Sequence, residues 1–545
     1  MKVFKVIFAI ILFLLCADIF AAPYDMILVG EPVIEDIRFL SLESGYSINA
    51  FTPPFAPHEI NNFLNLIDID ALSPPALKAY NRVKARLDPK TPLSLSWDIF
   101  SFSININATV EGRIRFNEEM DWQANPKIPS FISVPFKFNF LDTVQLYFDP
   151  AISIDPFDYE TNGYFSSNLV FFGDNHINGN SPLKTFIAAG GSWWNFQLGR
   201  DRLSFGTGIS GNLGIADNPP YYEFMRLSFF SNQFKYSLIV VQSPLRLTEE
   251  FYPELKNITE DALTKTTQRY FYQHRVDFTL FNVLSIALQE GVMIGNSALE
   301  LRFLNPLMIV HNAMVWRDYF NWPETEDKQG TEGFMIGSFF TAEINWKIAK
   351  SISAYAQFAM TELAIGPEYG REDEPPNGVG ILGGLQYSHS FEKWGALFYL
   401  ECIYTFPYLY VLASPFASII FMHNVGFTHE KMYYYYFGYP RDTFAITAGT
   451  RFFNNDTLII NGNFSWISKG GHGGAIVWDW KKNNEEAPSG IIENSFNLSI
   501  GAEWKVLSSL TLKGTVTGIY ALNYNNINDS DKAGGQTSLS VTFHY

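Results

Sequence analysis

The chain has 545 residues, with 38 Lys or Arg and 55 Asp or Glu, so its formal net charge at pH 7 is −17. An acidic chain lacks the basic face that nucleic-acid binding needs and the polybasic patch that docks proteins on anionic lipid, so we expect no nucleic-acid partner. Charged residues make up 17% of the chain, against roughly 25% in soluble domains, and aromatic residues also reach 17%. With two cysteines, the composition also excludes a disulfide-built scaffold.

The first residues predict export. Met1–Lys5 is a short basic start, Val6–Leu15 is apolar, and small residues follow and end at Ala22. This order is typical of a secretory signal peptide, which we expect to cover residues 1–22. The apolar run is shorter than the roughly 20 residues that a spanning helix needs. Two alternatives remain open, an uncleaved anchor and a lipoprotein acylated at Cys16.

Residues 23–92 predict a small N-terminal region with a helical hairpin. From Pro57 onward, apolar residues recur at the three- and four-residue spacing of a helix. Ser73 is a good N-cap for a second helix, because its hydroxyl accepts a backbone hydrogen bond and the two prolines after it suit a first turn. We expect this region to lie in the periplasm below a barrel, or to plug its mouth.

Residues 93–545 predict strands, because apolar and polar residues alternate along them. In Phe496–Trp504 the even positions are apolar and the odd positions are polar or glycine. Such alternation is typical of a strand that lies between a polar and an apolar medium. A tilted strand of about 9–11 residues is long enough to cross a bilayer. We expect an all-β, antiparallel transmembrane outer-membrane β-barrel of about 18 strands, since single-chain bacterial barrels have even strand numbers. The candidate segments are 95–106, 108–116, 131–139, 143–152, 164–172, 184–190, 192–200, 223–230, 233–242, 271–281, 285–294, 335–346, 351–361, 380–389, 394–405, 442–452, 457–467, 492–504, 509–521 and 536–545.

The connections between these segments alternate strictly between short and long. The short connections are 282–284, 347–350, 390–393, 453–456 and 505–508. The long connections are 243–270, 295–334, 362–379, 406–441, 468–491 and 522–535. Outer-membrane barrels have short periplasmic turns and long external loops. We therefore expect a bacterial outer-membrane location, with long loops outside and with the N-terminal segment and the C-terminus in the periplasm.

Three features of the long connections have two interpretations each. Met432–Phe437 is an aromatic run, which suits either a membrane-interface girdle or a platform for stacking sugar rings. Gly470–Gly474 surrounds His472, which predicts either a flexible loop or a ligand contact by that histidine. Acidic residues cluster in 249–261 and 368–374, which favours solvated loop faces or cation-bridged contacts to surface polysaccharide or lipopolysaccharide.

The last strand, Gln536–Tyr545, is amphipathic, with Leu539, Val541, Phe543 and Tyr545 on one face. An amphipathic final strand that ends in an aromatic residue resembles the assembly signal of bacterial outer-membrane proteins. We expect the outer-membrane assembly machinery to recognise it.

Motifs of catalysis and metal binding are absent from the sequence. It contains no His-Glu-x-x-His, no Gly-x-x-x-x-Gly-Lys phosphate loop and no Gly-x-Ser-x-Gly elbow. After removal of the signal peptide a single cysteine, Cys402, remains, which is too few for a thiolate zinc site. We therefore expect no catalytic residues, no metal site and no cofactor, and we expect that the protein is not an enzyme.

The most unusual connection follows Gly199 and is rich in glycine. Its glycines permit close backbone approach, and its two arginines can hold carboxylates with paired hydrogen bonds. This stretch resembles the motif of the Wzi-type capsule assembly family, in which a glycine-and-basic strand end precedes Trp-Gly-Pro-Gly and Ser-x-Asn-Ala-Pro. Phe205–Gly208 matches the first half with Phe for Trp and Thr for Pro, and Asp217–Pro219 matches part of the second. The helical segment, the length and the expected strand number also fit that family.

The resemblance implies an outer-membrane lectin that holds secreted capsular polysaccharide at the cell surface without enzymatic chemistry. It implies Arg200, Arg202, Asp217 and Asn218 as polar ligand-binding residues. Strand alternation points Arg200 outward unless Gly199 introduces a bulge. For the loop, the alternative is a structural constriction of the barrel. For the protein, the alternative function is a porin or hydrophobic-solute channel of the outer membrane. The few charges at inward positions of the late strands favour a plugged lumen.

Overall fold

The structure, a computed structural model, describes residues 24–88, 93–97, 99–117, 128–154, 164–171, 177–246, 268–295, 298–308, 336–363, 376–412, 415–425, 431–454, 457–472 and 486–545. The predicted signal peptide, with Cys16, and the acidic stretches 249–261 and 368–374 lie outside these ranges.

The described N-terminal region contains three helices, α1 (Val33–Ser44), α2 (Pro57–Leu64) and α3 (Pro74–Leu87). The spacing predicts α2 and α3, and the Ser73 hydroxyl caps α3 by accepting the backbone N–H of Ala76 at 3.4 Å. Helix α1 has no counterpart in the sequence predictions, although it packs against α3. Most of its residues are buried, including the polar Arg38, Ser41 and Glu43, so the contrast between a polar and an apolar face that marks a surface helix is weak in its sequence. None of the helices in the described part of the chain is long and apolar enough to cross a bilayer.

The rest of the described chain is built of antiparallel strands, which confirms the predicted all-β class. The strands are β1 (Leu93–Trp97), β2 (Phe100–Ile104), β3 (Asn107–Phe116), β4 (Ile132–Ser133), β5 (Phe136–Phe140), β6 (Val144–Phe148), β7 (Ala151–Ile152), β8 (Phe165–Ser167), β9 (Thr185–Gly190), β10 (Trp194–Asp201), β11 (Tyr222–Phe230), β12 (Phe234–Gln242), β13 (Arg269–Leu280), β14 (Leu284–Gly295), β15 (Ile336–Ala349), β16 (Ile352–Glu362), β17 (Gly378–Ser390), β18 (Trp394–Thr405), β19 (Ile420–Val425), β20 (Lys431–Tyr436), β21 (Thr443–Asn454), β22 (Leu458–Lys469), β23 (Glu493–Leu507), β24 (Leu510–Leu522) and β25 (Lys532–His544).

Sequence-adjacent strands pair from β9 to β18 and again from β21 to β25. Strand β18 pairs with β21, so β19 and β20 form a separate hairpin. The last strand, β25, pairs with β3 over Gly535–His544, and the two ends of the strand series therefore lie side by side. Several connections lie outside the described residues, and the number of about 18 strands stays a prediction.

Most predicted strands match in position, and four differ. Two of these are 131–139, which divides into β4 and β5, and 143–152, which divides into β6 and β7. The predicted strand 394–405 coincides with β18. The predicted strand 164–172 shrinks to the three residues of β8, and 95–106 divides into β1 and β2. The β19–β20 hairpin lies in a segment that the sequence analysis treats as a loop.

The alternation along the strands is the reverse of that in a water-soluble sheet. In β3, the apolar Val110, Ile114 and Phe116 are 41%, 50% and 63% exposed, whereas Arg113 and Arg115 are 9% and 2% exposed. Exposing apolar side chains while burying charges is unfavourable in water and favourable in a hydrocarbon layer. The outer face of the sheet is therefore suited to lipid, and its inner face to a polar lumen.

A row of exposed aromatic side chains marks the end of the sheet that carries the short connections. Its members are Trp193, Phe281, Trp346, Phe391 and Trp504. Aromatic rings collect at membrane–water interfaces, where one part of the ring meets lipid and another meets water. The row therefore places one bilayer interface at this end, which we call the short-connection end. The opposite end is the long-connection end.

Candidate functional site

The connection between β10 and β11 folds into the interior of the sheet. This segment, residues 202–221, meets the N-terminal region there, since the backbone N–H groups of Ser204 and Gly206 donate to the carbonyls of Pro53 (3.2 Å) and Phe51 (2.9 Å). Gly206 has φ +130°, and a Cβ on it would lie 2.2 Å from the side-chain nitrogen of Gln357. Only glycine fits this combination of conformation and space. We call residues 202–221 the plug loop.

Two inward-facing glutamates hold the tip of the plug loop. Glu401 accepts the backbone N–H groups of Ile209 (2.6 Å) and Ser210 (2.7 Å) and the hydroxyl of Tyr355 (2.5 Å). Glu343 accepts the backbone N–H and the hydroxyl of Thr207 at 2.8 and 2.9 Å. Hydrogen bonds to ionised groups are stronger than those between neutral groups. The loop tip is therefore anchored to β15 and β18.

The plug loop and the β19–β20 hairpin share one apolar cluster inside the sheet. The cluster includes Leu203, Phe205, Leu213, Ile215, Tyr222, Phe224, Phe271, Phe339, Tyr410, Phe421 and Phe437. It fills the interior beside β11–β18. Phe437 is fully buried and Tyr435 is 8% exposed, so the predictions of a membrane-interface girdle or an open stacking platform are wrong for this end of the aromatic run.

The structure places Arg200 on the outer face, at the long-connection end. The β10–β11 register runs through Gly199 without a bulge, so the outward direction predicted by alternation holds. The Arg200 guanidinium donates to Glu223 at 2.7 Å and to the Asn180 carbonyl at 2.7 Å, and it lies 4.0 Å from the centre of the Tyr221 ring. Arg200 is therefore one part of a built polar cluster at the rim.

The other three predicted residues lie within the plug loop. Arg202 and Asp217 form an ion pair, which joins the two ends of the loop. The Asn218 amide donates to the carbonyl of Gly438 at 2.8 Å and connects the loop to the residues after β20. The structure thus brings Arg202 and Asp217 together and separates Arg200 from them. Ligand binding by these four residues stays a prediction.

Below the plug loop, a buried carboxylate that the sequence analysis missed binds the N-terminal region to the barrel wall. Asp25 receives hydrogen bonds from Lys137 (2.8 Å), Gln145 (2.8 Å) and Arg86 (3.0 Å). Burial by itself raises the pKa of Asp25, but the charges of Lys137 and Arg86 and the hydrogen bonds outweigh it and lower the pKa to about 2. The carboxylate is therefore ionised at neutral pH.

The β19–β20 hairpin reaches the rim cluster through His423. This histidine is 1% exposed, and its Nε2 is 3.0 Å from the backbone oxygen of Tyr221. The pKa of His423 is lowered to about 3, mainly by burial and in smaller part by the charge of Arg200, while the contact with the Tyr221 backbone acts in the opposite direction. His423 is therefore neutral at pH 7.

The sequence predicts the glycine-rich segment around His472 to be either a flexible loop or a ligand contact. In the structure, two hydrogen bonds of the His472 backbone fix this segment in place. The backbone N–H of His472 donates to Asp442 at 3.1 Å, and its carbonyl accepts from Arg441. Over the described ranges, no group of three or more His, Cys, Asp or Glu side chains could hold a metal ion.

A cavity of about 290 Å³ lies between the plug loop and the N-terminal region. Its walls include Gly30, Arg38, Asn212, Asp217 and Glu503. Arg38 donates to the carbonyl of Thr207 at 3.0 Å and so fixes one wall to the plug loop. Strand alternation already places Glu503 on the polar face of its strand in the sequence analysis, whereas the helices that complete the cavity leave no such signal.

Comparison with known proteins gives a fold relationship and no sequence relationship. No family model matches the chain, and no curated protein matches it. Wzi, described as an outer-membrane protein involved in group 1 capsule assembly in Escherichia coli and as a carbohydrate-binding β-barrel, matches with a TM-score of 0.56 and 13% identity, over 95% of this chain and 99% of Wzi.

Two other outer-membrane proteins match less well. OprD of Pseudomonas aeruginosa has a TM-score of 0.38 and 10% identity, over 82% of this chain and 95% of its own. OmpT of Vibrio cholerae has a TM-score of 0.32 and 9% identity, over 83% of this chain and 99% of its own. The match with Wzi shows that the chain has the fold of an outer-membrane β-barrel, and it confirms at the level of fold the predicted loose resemblance to the Wzi-type capsule assembly family.

Proposed function

We propose that this protein resides in a bacterial outer membrane and binds surface polysaccharide of the capsular type, holding it at the cell surface without enzymatic chemistry. The observation that carries the proposal is the filled interior beside β11–β18, in a fold similar to that of a carbohydrate-binding barrel. A porin or a hydrophobic-solute channel needs an open lumen, and the plug loop with its apolar cluster opposes that alternative.

In this proposal the long-connection end faces outside, and the N-terminal helices and the C-terminus face the periplasm. The alternation of connection lengths supports this orientation. The strand β25 and the final Tyr545 carry an outward apolar face, with Leu539 62% and Tyr545 54% exposed. This face is available to the outer-membrane assembly machinery before the strand pairs with β3.

The rim cluster around Arg200 is the proposed contact for the glycan. Glu223 is partly exposed beside Arg200, and Asn180 accepts the hydroxyl of Tyr221 at 2.9 Å. Guanidinium, carboxylate and amide groups at one rim supply both donors and acceptors for sugar hydroxyls. The ion pair of Arg202 with Asp217 and the Asn218 contact act as positioning interactions beneath this cluster.

Deletion of the gene in its own host tests the proposal. We expect polysaccharide to move from the sedimented cells to the medium while the total amount synthesised is unchanged. An unchanged cell-bound fraction would sink the proposal. A fall in total synthesis would also contradict it, because a protein that only retains polysaccharide does not limit its production.

A matched pair of arginine variants tests whether the rim cluster around Arg200 contacts the glycan. Arg200→Ala should lower retention several-fold, because it removes the guanidinium over Tyr221. Arg302→Ala is the control, since Arg302 also pairs with a carboxylate, Glu300 (3.0 Å), and lies 5.7 Å from the ring of Phe303 in another long connection. Equal effects of the two substitutions would show that the rim cluster has no special role.

A further inference from the structure

The interior of the barrel is filled unevenly. Beside β11–β18 the apolar cluster occupies it, whereas the inward residues of β22–β25 are Asn, Ser and Thr that remain partly exposed, such as Asn497, Ser499, Thr515 and Ser538. Small polar side chains with unfilled space before them indicate a hydrated region along this wall. The plug therefore leaves a polar space on one side only.

Two large cavities open into this polar space at the short-connection end. One, of about 560 Å³, lies between α1, α3 and the wall of β21–β25, and the other, of about 550 Å³, lies beside it. They share Ser508 and His544. The first also shares Pro32, Arg451 and Glu503 with the cavity of about 290 Å³ under the plug loop. Volumes of this order lie within the range of about 300–1,000 Å³ for small-molecule sites.

The charge of the first cavity opposes that of the whole chain. Four Lys or Arg residues line it, against two Asp or Glu residues, in a chain of net charge −17. Arg82 is neutralised by Asp36 at 2.6 Å. Arg451, Lys505 and Lys513 then face a single carboxylate, that of Glu503. The cavity thus carries an excess of positive charge.

These three cations have no ion-pair partner within 4.0 Å among the described residues. Lys513 lies directly across from Glu503 in the β23–β24 register, yet their charged groups are not in contact. Arg451 donates a long hydrogen bond, of 3.5 Å, to the side-chain oxygen of Asn461, which is neutral. Unneutralised cations in a confined space attract anions more strongly than cations on an open surface do.

Of the ten other residues that line the cavity, six carry a hydroxyl or amide group: Asn454, Thr457, Ser508, Thr511, Ser540 and Thr542. Pro32, Phe453, Ile459 and His544 complete the wall. Hydroxyl and amide side chains both donate and accept, which matches the many hydroxyl groups of a sugar, while a guanidinium matches a planar carboxylate.

We propose that this cavity is a binding site for a carboxylate-bearing saccharide, entered from the short-connection end. Arg451, Lys505 and Lys513 hold the carboxylates, and the hydroxyl-lined wall holds the sugar ring. The site lies at the opposite end of the barrel from the rim cluster around Arg200. Neither proposal depends on the other, and either one can fail alone.

Isothermal titration calorimetry on the full chain in detergent tests the site, with trigalacturonate as the probe. We expect saturable binding that weakens as sodium chloride rises from about 0.05 M to about 0.5 M, because salt screens the charges. Neutral maltotriose, of equal length, should not bind. Equal binding of maltotriose would overturn the proposal, and so would displacement of trigalacturonate by inorganic phosphate at equal concentration, since the site would then recognise charge alone.

The variant Lys505→Gln with Lys513→Gln should weaken trigalacturonate binding by about tenfold or more. The control is Lys350→Gln with Lys393→Gln, which changes the net charge equally at exposed positions of the same end outside the cavity. Equal affinities of the two variants would overturn the proposal. Arg451→Gln provides the same comparison if the first double variant does not fold, as judged by circular dichroism.

Discussion

Single charged residues in this protein connect segments that are far apart in sequence. Asp25 joins the start of the described chain to β5 and α3, and Glu401 joins β18 to the plug loop. A buried charge is tolerated only when its partners satisfy it, and removal of one partner leaves the others uncompensated. The stability of the interior therefore depends on a few carboxylates.

Asp25→Asn should loosen the N-terminal region at pH 7 by about 3 kcal/mol, because it leaves Lys137 and Arg86 without their shared counter-charge. The lowered pKa also sets a pH dependence. An ordinary aspartate titrates near about 3.9, so the stabilisation by Asp25 is complete above that pH and is lost as the pH falls toward about 2. Hydrogen exchange of residues 24–88 as a function of pH measures both effects.

Asp70→Asn is the control for this measurement, since the Asp70 side chain is exposed at the surface of the same region. It should leave the exchange rates and their pH dependence unchanged. Similar protection in the Asp25→Asn variant and the parent at pH 7 would contradict the role given to Asp25.

The elements divide into those that the sequence predicts and those that it does not. Strands such as β18 and β24 are predictable because lipid on one side and a polar lumen on the other impose alternation on them. The plug loop and the β19–β20 hairpin instead pack against each other and against the inner face of the strands. Their residues follow the shape of the interior rather than a period, so the sequence shows glycines and aromatics without showing where they fold.

The residues of the predicted site also divide into those on regular strands, whose positions are predictable, and those in irregular segments, whose positions are not. The outward direction of the Arg200 side chain is predictable, because Arg200 lies on β10 and side chains alternate between the two faces of a strand. The ion pair of Arg202 with Asp217 could not be predicted, since both residues lie in an irregular loop. Glu343 and Glu401 carry a usable signal, as charged residues at inward positions of otherwise regular strands, and this signal was missed.

At the level of the plug loop, Glu401→Ala should release the loop tip. The substitution removes two backbone hydrogen bonds to a carboxylate, each worth about 1.5–3 kcal/mol. A thiol at Ile209→Cys, in a Cys402→Ser background, should then react with a water-soluble maleimide about tenfold faster or more.

Glu493→Ala is the matched control for this release. Glu493 accepts the backbone N–H of Asn525 at 2.7 Å and so holds a different long connection. Its removal should not change the labelling rate at position 209. If Glu401→Ala also left the rate unchanged, the anchoring of the loop tip by this glutamate would be refuted.

At the scale of the whole molecule, the plug loop and its apolar cluster fill the interior beside β11–β18 and leave a polar space beside β22–β25. We expect the refolded protein to carry no steady, large current in planar bilayers. A variant in which a short Gly-Ser linker replaces residues 204–217, and which circular dichroism shows to be folded, should conduct. Steady, large conductance of the unaltered protein would favour the channel alternative over the retention of polysaccharide.

The pairing of β25 with β3 has a consequence for how the chain is made. The hydroxyls of Thr109 and Thr542 lie 2.9 Å apart although the two residues are separated by 433 positions. Contacts between such distant positions form slowly, because a long stretch of chain must be ordered before they are made. The edge of β3 that faces β25 can therefore pair only after the residues of β25 have been synthesised. An unpaired strand edge can pair with other chains, so we expect the chain to be prone to aggregation until then.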